Sequence, residues 1–379
     1  MNKFIAGTYK TNFYKKQYEY KSFSPTLINR QFEWHDNKIL NLLVKSERLL
    51  AQLNAFSTLI PDINFFIQMH VRKEAATSSR IEGTQTGIDE AVLPEKEIKP
   101  ERRNDWKEVQ NYIKAINMAI ATLENIPLSM RLLNKTHKIL LEGVRGEKRQ
   151  PGEIRNGPNW IGGSNLQNAF FIPPSSSEVP DLLSDLEKFW HNEKINMPEL
   201  IKIAISHYQF ETIHPYFDGN GRIGRLLITL QLVDYKIVDN PTLYISDFFE
   251  RNKGNYYDSL SIVRQNNNIS QWIIFFLLGV IATAEKGTET FKKIIELRKV
   301  YDEKIRSFGS RAERGEKLLL LMFSRPILTV DSISIQLKIS YNTANRLIKL
   351  FLDSGMVNTY KGRFKTRFFI LQQYLDLFK

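Results

Sequence analysis

Apolar side chains recur at helical spacing along most of this chain and alternate at strand spacing in only a few short stretches. From 35 to 56, the positions Ile39, Leu40, Leu42, Leu43, Leu49, Leu50 and Leu53 predict an amphipathic helix that stops before Pro61. Further helices are expected at 62–80, 105–124, 129–141, 179–192 and 198–213, and onward to about 304. The stretch 143–174 breaks this rhythm with Gly152, Asn156, Gly157, Pro158, Asn159, Gly162, Gly163 and Asn165. It predicts an irregular hairpin with a short strand at about 168–172, stopped by Pro173 and Pro174.

Beyond about 309 the pattern changes again. A helix at 316–323 ends near Pro326, and two more at 330–337 and 340–354 flank a tight break at Lys338, Ile339 and Ser340. Strands at 356–360 and 367–371 surround Gly362, an order that resembles a winged helix. The expected fold is mainly α with a small β-hairpin flap. It divides into an N-terminal helical region (1–125), a central core (126–305) and an α+β C-terminal domain (309–379).

The chemistry concentrates in His214-Pro-Tyr-Phe-Asp-Gly-Asn-Gly-Arg-Ile-Gly-Arg225. The apolar-periodic run after Arg222 reads as a helix, so the Gly219-Asn220-Gly221 turn offers free N–H groups at a helix N-terminus, where polyphosphate binds. Arg222 and Arg225 are three residues apart and reach one face. Asp218 suits Mg2+, which takes one or two carboxylates plus phosphate oxygens, and His214 can accept a proton near neutral pH.

This segment resembles the signature of the Fic family of AMP-transferring proteins, His-Pro-Phe-x-Asp/Glu-Gly-Asn-Gly-Arg-x-x-Arg, departing only at Tyr216. The resemblance implies that a Ser, Thr or Tyr hydroxyl of a target protein attacks the α-phosphate of ATP. His214 would take the proton and Asp218 would hold Mg2+. Gly219, Asn220, Gly221, Arg222, Gly224 and Arg225 would hold the phosphates, Arg225 taking the γ-phosphate. Gly221 stands where related phosphate-transferring toxins carry Lys, which favours AMP transfer. Asn168, Ala169, Phe170 and Phe171 resemble the flap that covers the nucleotide and holds the target segment by strand pairing; the alternative is an ordinary surface hairpin. Tyr256 and Tyr257 match paired tyrosines near the adenine, or are helix packing. Ser78-Ser-Arg-Ile-Glu82-Gly83 is similar to the family's inhibitory pattern, in which Glu82 would pair with Arg225 and displace the γ-phosphate; Gly83 also suits a helix cap.

Composition narrows the rest. There is no cysteine, which excludes disulfides, thiolate nucleophiles and thiolate zinc sites. His35, His70, His137 and His191 share no ligand spacing, and His207 reads as a packed residue. The start lacks an apolar signal core, and the apolar run 272–284 is short for a bilayer, so a soluble cytoplasmic protein is expected, without a membrane. The formal net charge of +12 fits nucleotide, nucleic acid or solubility alone. In the C-terminal region, Lys361, Arg363, Lys365 and Arg367 suit DNA phosphates, or a protein-docking wing. The competing functions are therefore an adenylyltransferase acting on a protein, itself included, and a DNA-binding regulator that senses nucleotide. A homodimer is compatible with both.

Overall fold

The computed structural model describes residues 3–13, 19–34, 36–59, 63–364 and 366–379. His35, Pro61, Asp62 and Lys365, named above, lie outside the described residues.

The molecule is mainly helical. An antiparallel hairpin of β1 (Gly7–Asn12) and β2 (Tyr20–Pro25) leads in, pairing Gly7 with Pro25 through Asn12 with Tyr20. Neither strand was legible, because β1 (Gly-Thr-Tyr-Lys-Thr-Asn) has almost no apolar alternation and lies largely exposed. Then come α1 (Asn37–Thr58), α2 (Ile63–Ile81), the single turn α3 (Ile88–Ala91) and α4 (Arg103–Leu123). The central helices are α5 (Met130–Leu140), α6 (Val179–His191), α7 (Glu199–Ile213) and α8 (Asn220–Asp234). After them stand α9 (Ser246–Arg251), α10 (Lys253–Asn266) and the 38-residue α11 (Ile269–Arg306). By length and composition α11 could cross a bilayer, but half of its apolar window is buried inside the fold, against α1, α7 and α10.

Local chemistry sets the ends of these helices. Asp36 caps α1 by accepting from the Ile39 N–H at 2.9 Å, and Ser129 and Asn268 cap α5 and α11 in the same way. Asn267 closes α10 in the left-handed region, which asparagine tolerates.

The C-terminal module runs α12 (Ala312–Ser324), β3 (Ile327–Leu328), α13 (Val330–Leu337), α14 (Tyr341–Asp353), β4 (Asn358–Lys361), β5 (Arg367–Ile370) and α15 (Gln372–Asp376). Its three strands form one antiparallel sheet in the order β3-β5-β4. A Thr329/Ser332 capping box starts α13, and Ser340 caps α14 directly after the left-handed Lys338. This module leans on α2: Phe66 packs on Phe323 at 4.7 Å, and His70 meets the Phe378 ring at 5.0 Å. Its hairpin tip also touches the segment before α4, where the Arg363 amide donates to Glu97 Oε2 at 2.7 Å and its guanidinium to the Ile98 carbonyl at 2.8 Å. So α2 is shared between the catalytic-type core and the C-terminal module.

Candidate active site

The site is built where α7 ends and α8 begins. From Leu200 to Ile213 every residue of α7 is buried, so this helix forms the spine of the core. It stops at His214 because Pro215 follows, and the residue before a proline resists the α conformation. His214 takes a left-handed turn instead (φ 51°, ψ 62°).

The loop from Pro215 to Gly219 is held by side chains. The Tyr216 N–H donates to Asn220 Oδ1, and Asn220 Nδ2 donates back to the Tyr216 carbonyl, both at 2.8 Å. The Tyr216 ring stacks on His137 at 3.8 Å, and its hydroxyl donates to Asn134 Oδ1 at 2.7 Å. His137 Nδ1 accepts the Gly152 N–H at 2.8 Å, so Nε2 carries the proton and donates to the Asp218 carbonyl at 2.9 Å. Burial holds this imidazole down at about 4, neutral at physiological pH. His137 therefore shapes the loop, a role that its spacing from other histidines could not reveal.

Gly219 (φ 76°) turns the chain into α8, whose first N–H groups have no intrahelical partner. Asp218 Oδ1 accepts the Gly219 N–H at 2.6 Å and sits 3.5 Å from Arg222 Nη2, while Oδ2 points toward Gly146. Among the described residues no three His, Asp or Glu side chains gather as a metal cage. A half-exposed Asp218 is the kind of single carboxylate that Mg2+ shares with phosphate oxygens, so the residues fit the ion as part of a nucleotide complex.

The two arginines have different partners. Both are about 1% exposed. Arg222 Nη1 donates to Glu108 Oε2 at 2.9 Å from α4, and Glu108 also sits 3.5 Å from Arg145. Burial pushes the Glu108 carboxyl upward, with Arg222 opposing it. Arg222 is thus tied to the scaffold through α4. Arg225 donates Nε to Ser78 Oγ and Nη2 to the Ser78 carbonyl, each at 2.9 Å, and Nη2 to Glu82 Oε1 at 2.6 Å. Burial acts to raise the Glu82 carboxyl, but the Arg225 guanidinium outweighs it and holds it below the usual range. Glu82 lies directly over Gly221: a Cβ at that position would collide with Glu82 Oε1. The carboxylate therefore fills the space in front of the Gly219–Gly221 turn.

His214 is half-buried, and its pKa is lowered to about 4, first by burial and then by the Arg155 guanidinium, with the Glu211 carbonyl and Glu82 opposing. A neutral imidazole is ready to accept a proton. Arg155, which the motif pattern did not flag, clamps the corner. It donates to the carbonyls of His214 (2.8 Å), Ile213 (3.2 Å), Gly157 (3.1 Å) and Pro174 (2.6 Å), joining the α7 terminus to the flap. A buried arginine satisfied only by carbonyls is invisible to linear patterning.

The expected strand at about 168–172 is absent; the flap holds a single antiparallel bridge, Ile161 with Phe171. Glycine, asparagine and proline favour turns over a ladder, and Asn168 Oδ1 spends itself on the N–H groups of Ser164 and Asn165. Phe171 is buried under Arg264, whose guanidinium lies 3.8 Å from the ring, and Ala169 is half-covered. Phe170 is 89% exposed.

Gly224 and the tyrosine pair take their places in the packing around this corner. Gly224 serves packing, since a Cβ there would strike Glu211 Oε1 from α7, a carboxyl that burial pushes up to about 7. Tyr256 is buried, stacked on Phe249 at 4.4 Å, and its hydroxyl donates to His207 Nε2 at 2.9 Å. His207 Nδ1 in turn donates to the Gly224 carbonyl at 2.9 Å, so His207 is the packed, hydrogen-bonded residue expected. Tyr257, at 40% exposure, is the member of the pair that faces outward.

Residues 40–121 match the model of the Fic/DOC family N-terminal region, and residues 127–232 match the model of the Fic/DOC family. A probable protein adenylyltransferase of Aquifex aeolicus is 38% identical over 90 residues, 23% of this chain and 28% of that protein. The protein adenylyltransferase Fic of Drosophila erecta is 27% identical over 122 residues, 32% of this chain and 22% of that protein. The matched part of the chain thus spans about a quarter of the length of these curated relatives. In three dimensions a Fic family protein from Desulfovibrio desulfuricans superposes with a TM-score of 0.57 at 20% identity, over 90% of this chain and 98% of that one.

Proposed function

We propose, for a chain that carries a Fic N-terminal region and a Fic domain, the transfer of AMP from ATP to a Ser, Thr or Tyr hydroxyl of a protein, held in check by its own Glu82. One observation carries this reading. A proton-accepting imidazole, an open helix N-terminus and a buried arginine stand on one corner, and a carboxylate just past the end of α2 is paired to that arginine at 2.6 Å.

His214 takes the proton from the attacking hydroxyl. The oxygen bonds to the α-phosphorus, and the bond from phosphorus to the bridging oxygen breaks, releasing pyrophosphate. The first-turn N–H groups of α8 hold the phosphates of ATP. Asp218 would hold Mg2+ against the phosphates, and the ion would offset charge on the departing pyrophosphate. Arg225 orients the γ-phosphate once Glu82 withdraws. With little covalent chemistry for side chains to do, positioning and electrostatics carry the rate.

The test is incubation of the Glu82→Gly protein with ATP labelled at the α-phosphate, Mg2+ and cell extract, followed by mass spectrometry. Added AMP is expected on the chain or a partner, and none with His214→Ala. Label that persists in the folded His214→Ala protein sinks the base assignment; label from the γ-phosphate sinks AMP transfer.

A second reading, a DNA-binding regulator, draws on the face of α14, where Asn342, Arg346 and Lys349 are exposed. Against it, the Arg363 guanidinium of the hairpin tip is engaged with the Ile98 carbonyl. Salt-dependent binding of duplex DNA by the full chain, lost in Lys349→Glu, would favour this reading.

A further inference from the structure

A cavity of about 130 Å³ is lined by α2, the Thr242–Tyr244 segment, α9, α11 and the last residues of the chain. Its wall is rich in donors. Lys73, Arg251 and Lys286 bring three positive charges, against which Asp247 is the only wall carboxylate besides the buried Glu74. Asp247 is already used: its Oδ2 takes Lys286 Nζ at 2.9 Å and Arg251 Nη2 at 3.3 Å. Lys73 has no carboxylate at ion-pair distance among the described residues. Burial and the neighbouring cations lower its ammonium to about 8, although Asp247 opposes them.

The wall also holds buried polar atoms without partners: His70 Nε2, the Tyr244 hydroxyl and Glu74 Oε2. All three residues are more than nine-tenths buried. Glu74 Oε1 is occupied, accepting from Ser246 at 2.5 Å and Tyr112 at 3.0 Å, which leaves its second oxygen alone. Unpartnered buried polar groups are costly, and native structures retain few of them without a reason. Here they line one cavity together with an unpaired ammonium.

We propose that this cavity is a binding site for a small molecule bearing a phosphate-sized oxyanion, held by Lys73 and Lys286 and hydrogen-bonded by the Tyr244 hydroxyl and the His70 ring. The volume admits such a group together with further atoms of the molecule that bears it. An imidazole and a phenol both supply hydrogen to an anionic oxygen, and neither repels it. The site is separate from the α8 turn and does not depend on the catalytic reading.

Trace acylation of lysines in the full chain, quantified by mass spectrometry, tests this with inorganic phosphate as the probe and sodium chloride matching the ionic strength. Phosphate should slow acylation of Lys73 and Lys286 several-fold, in a saturable way, and leave the exposed Lys349 unchanged. Tyr244→Phe removes an orphan hydroxyl, so the fold should keep its Tm, while half-saturation moves up by roughly fivefold, about one hydrogen bond. Equal acylation rates of Lys73 in phosphate and chloride would overturn the proposal. An unchanged half-saturation in a folded Tyr244→Phe protein would equally overturn it, since the unpartnered atoms would then play no part.

Discussion

The two walls of the candidate active site are made differently. On the helical side, Arg222 is fixed by the buried Glu108 of α4, and Arg225 by Ser78 and the partly exposed Glu82 at the end of α2. On the flap side there is one β-bridge, a self-bonded Asn168 and the solvent-facing Phe170. The first wall is rigid and pre-charged, as phosphate binding requires; the second offers backbone and an aromatic ring, which suits an extended protein segment of variable sequence. Within the rigid wall there is a further division. Arg222 depends on Glu108 for its burial, whereas Arg225 keeps two bonds to Ser78 even without Glu82. One carboxylate acts as scaffold, and the other, on the proposed reading, as a removable plug.

The substitution of largest expected effect attacks the scaffold. Glu108→Ala strands a buried guanidinium and should cost about 3 kcal/mol in chemical denaturation; a loss near zero would mean that Arg222 is not held as described. Glu82→Gly removes the plug. It should cost less than about 1.5 kcal/mol, because Ser78 still satisfies Arg225, while self-labelling from ATP rises at least roughly tenfold. A large stability loss with no gain in labelling would make the two carboxylates equivalent. On the other wall, Phe170→Ala should leave Tm and ATP affinity unchanged and raise the KM for a protein acceptor about threefold, the loss of part of one apolar contact; an effect on ATP binding instead would assign the flap to the nucleotide.

The smallest signal is a titration. His214 should titrate below its ordinary 6.5, near the value of about 4 set by burial and Arg155, in an NMR pH series assigned with His214→Ala. Because its folded pKa is depressed, the neutral form is stabilised by the fold, and acidification through that range both charges the base and disfavours the folded site. Glu82 is likewise held below the ordinary carboxylate range, so the Glu82–Arg225 pair persists down to pH 4.5 and acidification above that does not release it. An imidazole that titrates at 6.5 or higher would contradict the burial seen at the end of α7.

What could be read from the chain, and what could not, follows the same division. His214, Asp218 and the Gly219–Gly221 turn lie in one short stretch, and their chemistry depends on local backbone form, so linear spacing shows them together. The Ser78–Glu82 contact to Arg225 spans 147 and 143 residues; only the resemblance brought those segments together, since no local property of Glu82 does so. Glu108, His137 and Arg155 were missed because each acts through carbonyls or a buried ion pair with distant chain, where residue type alone carries no address. Gly224 and Tyr256 are near the motif in sequence, and only the fold shows them packed against Glu211 and His207. The helices were legible because amphipathic periodicity survives burial on one face. The exposed β1–β2 hairpin and the two-residue β3 leave almost no such trace.

The bare α-carbon of Gly221 has an evolutionary corollary. A Cβ added there would press on Glu82 Oε1 and Arg225 Nη1, so even alanine would make the carboxylate shift from where it rests. On the function proposed above, a lineage that exchanged this glycine would have to find another restraint, which makes the residue at the turn and the means of silencing it hereditary companions.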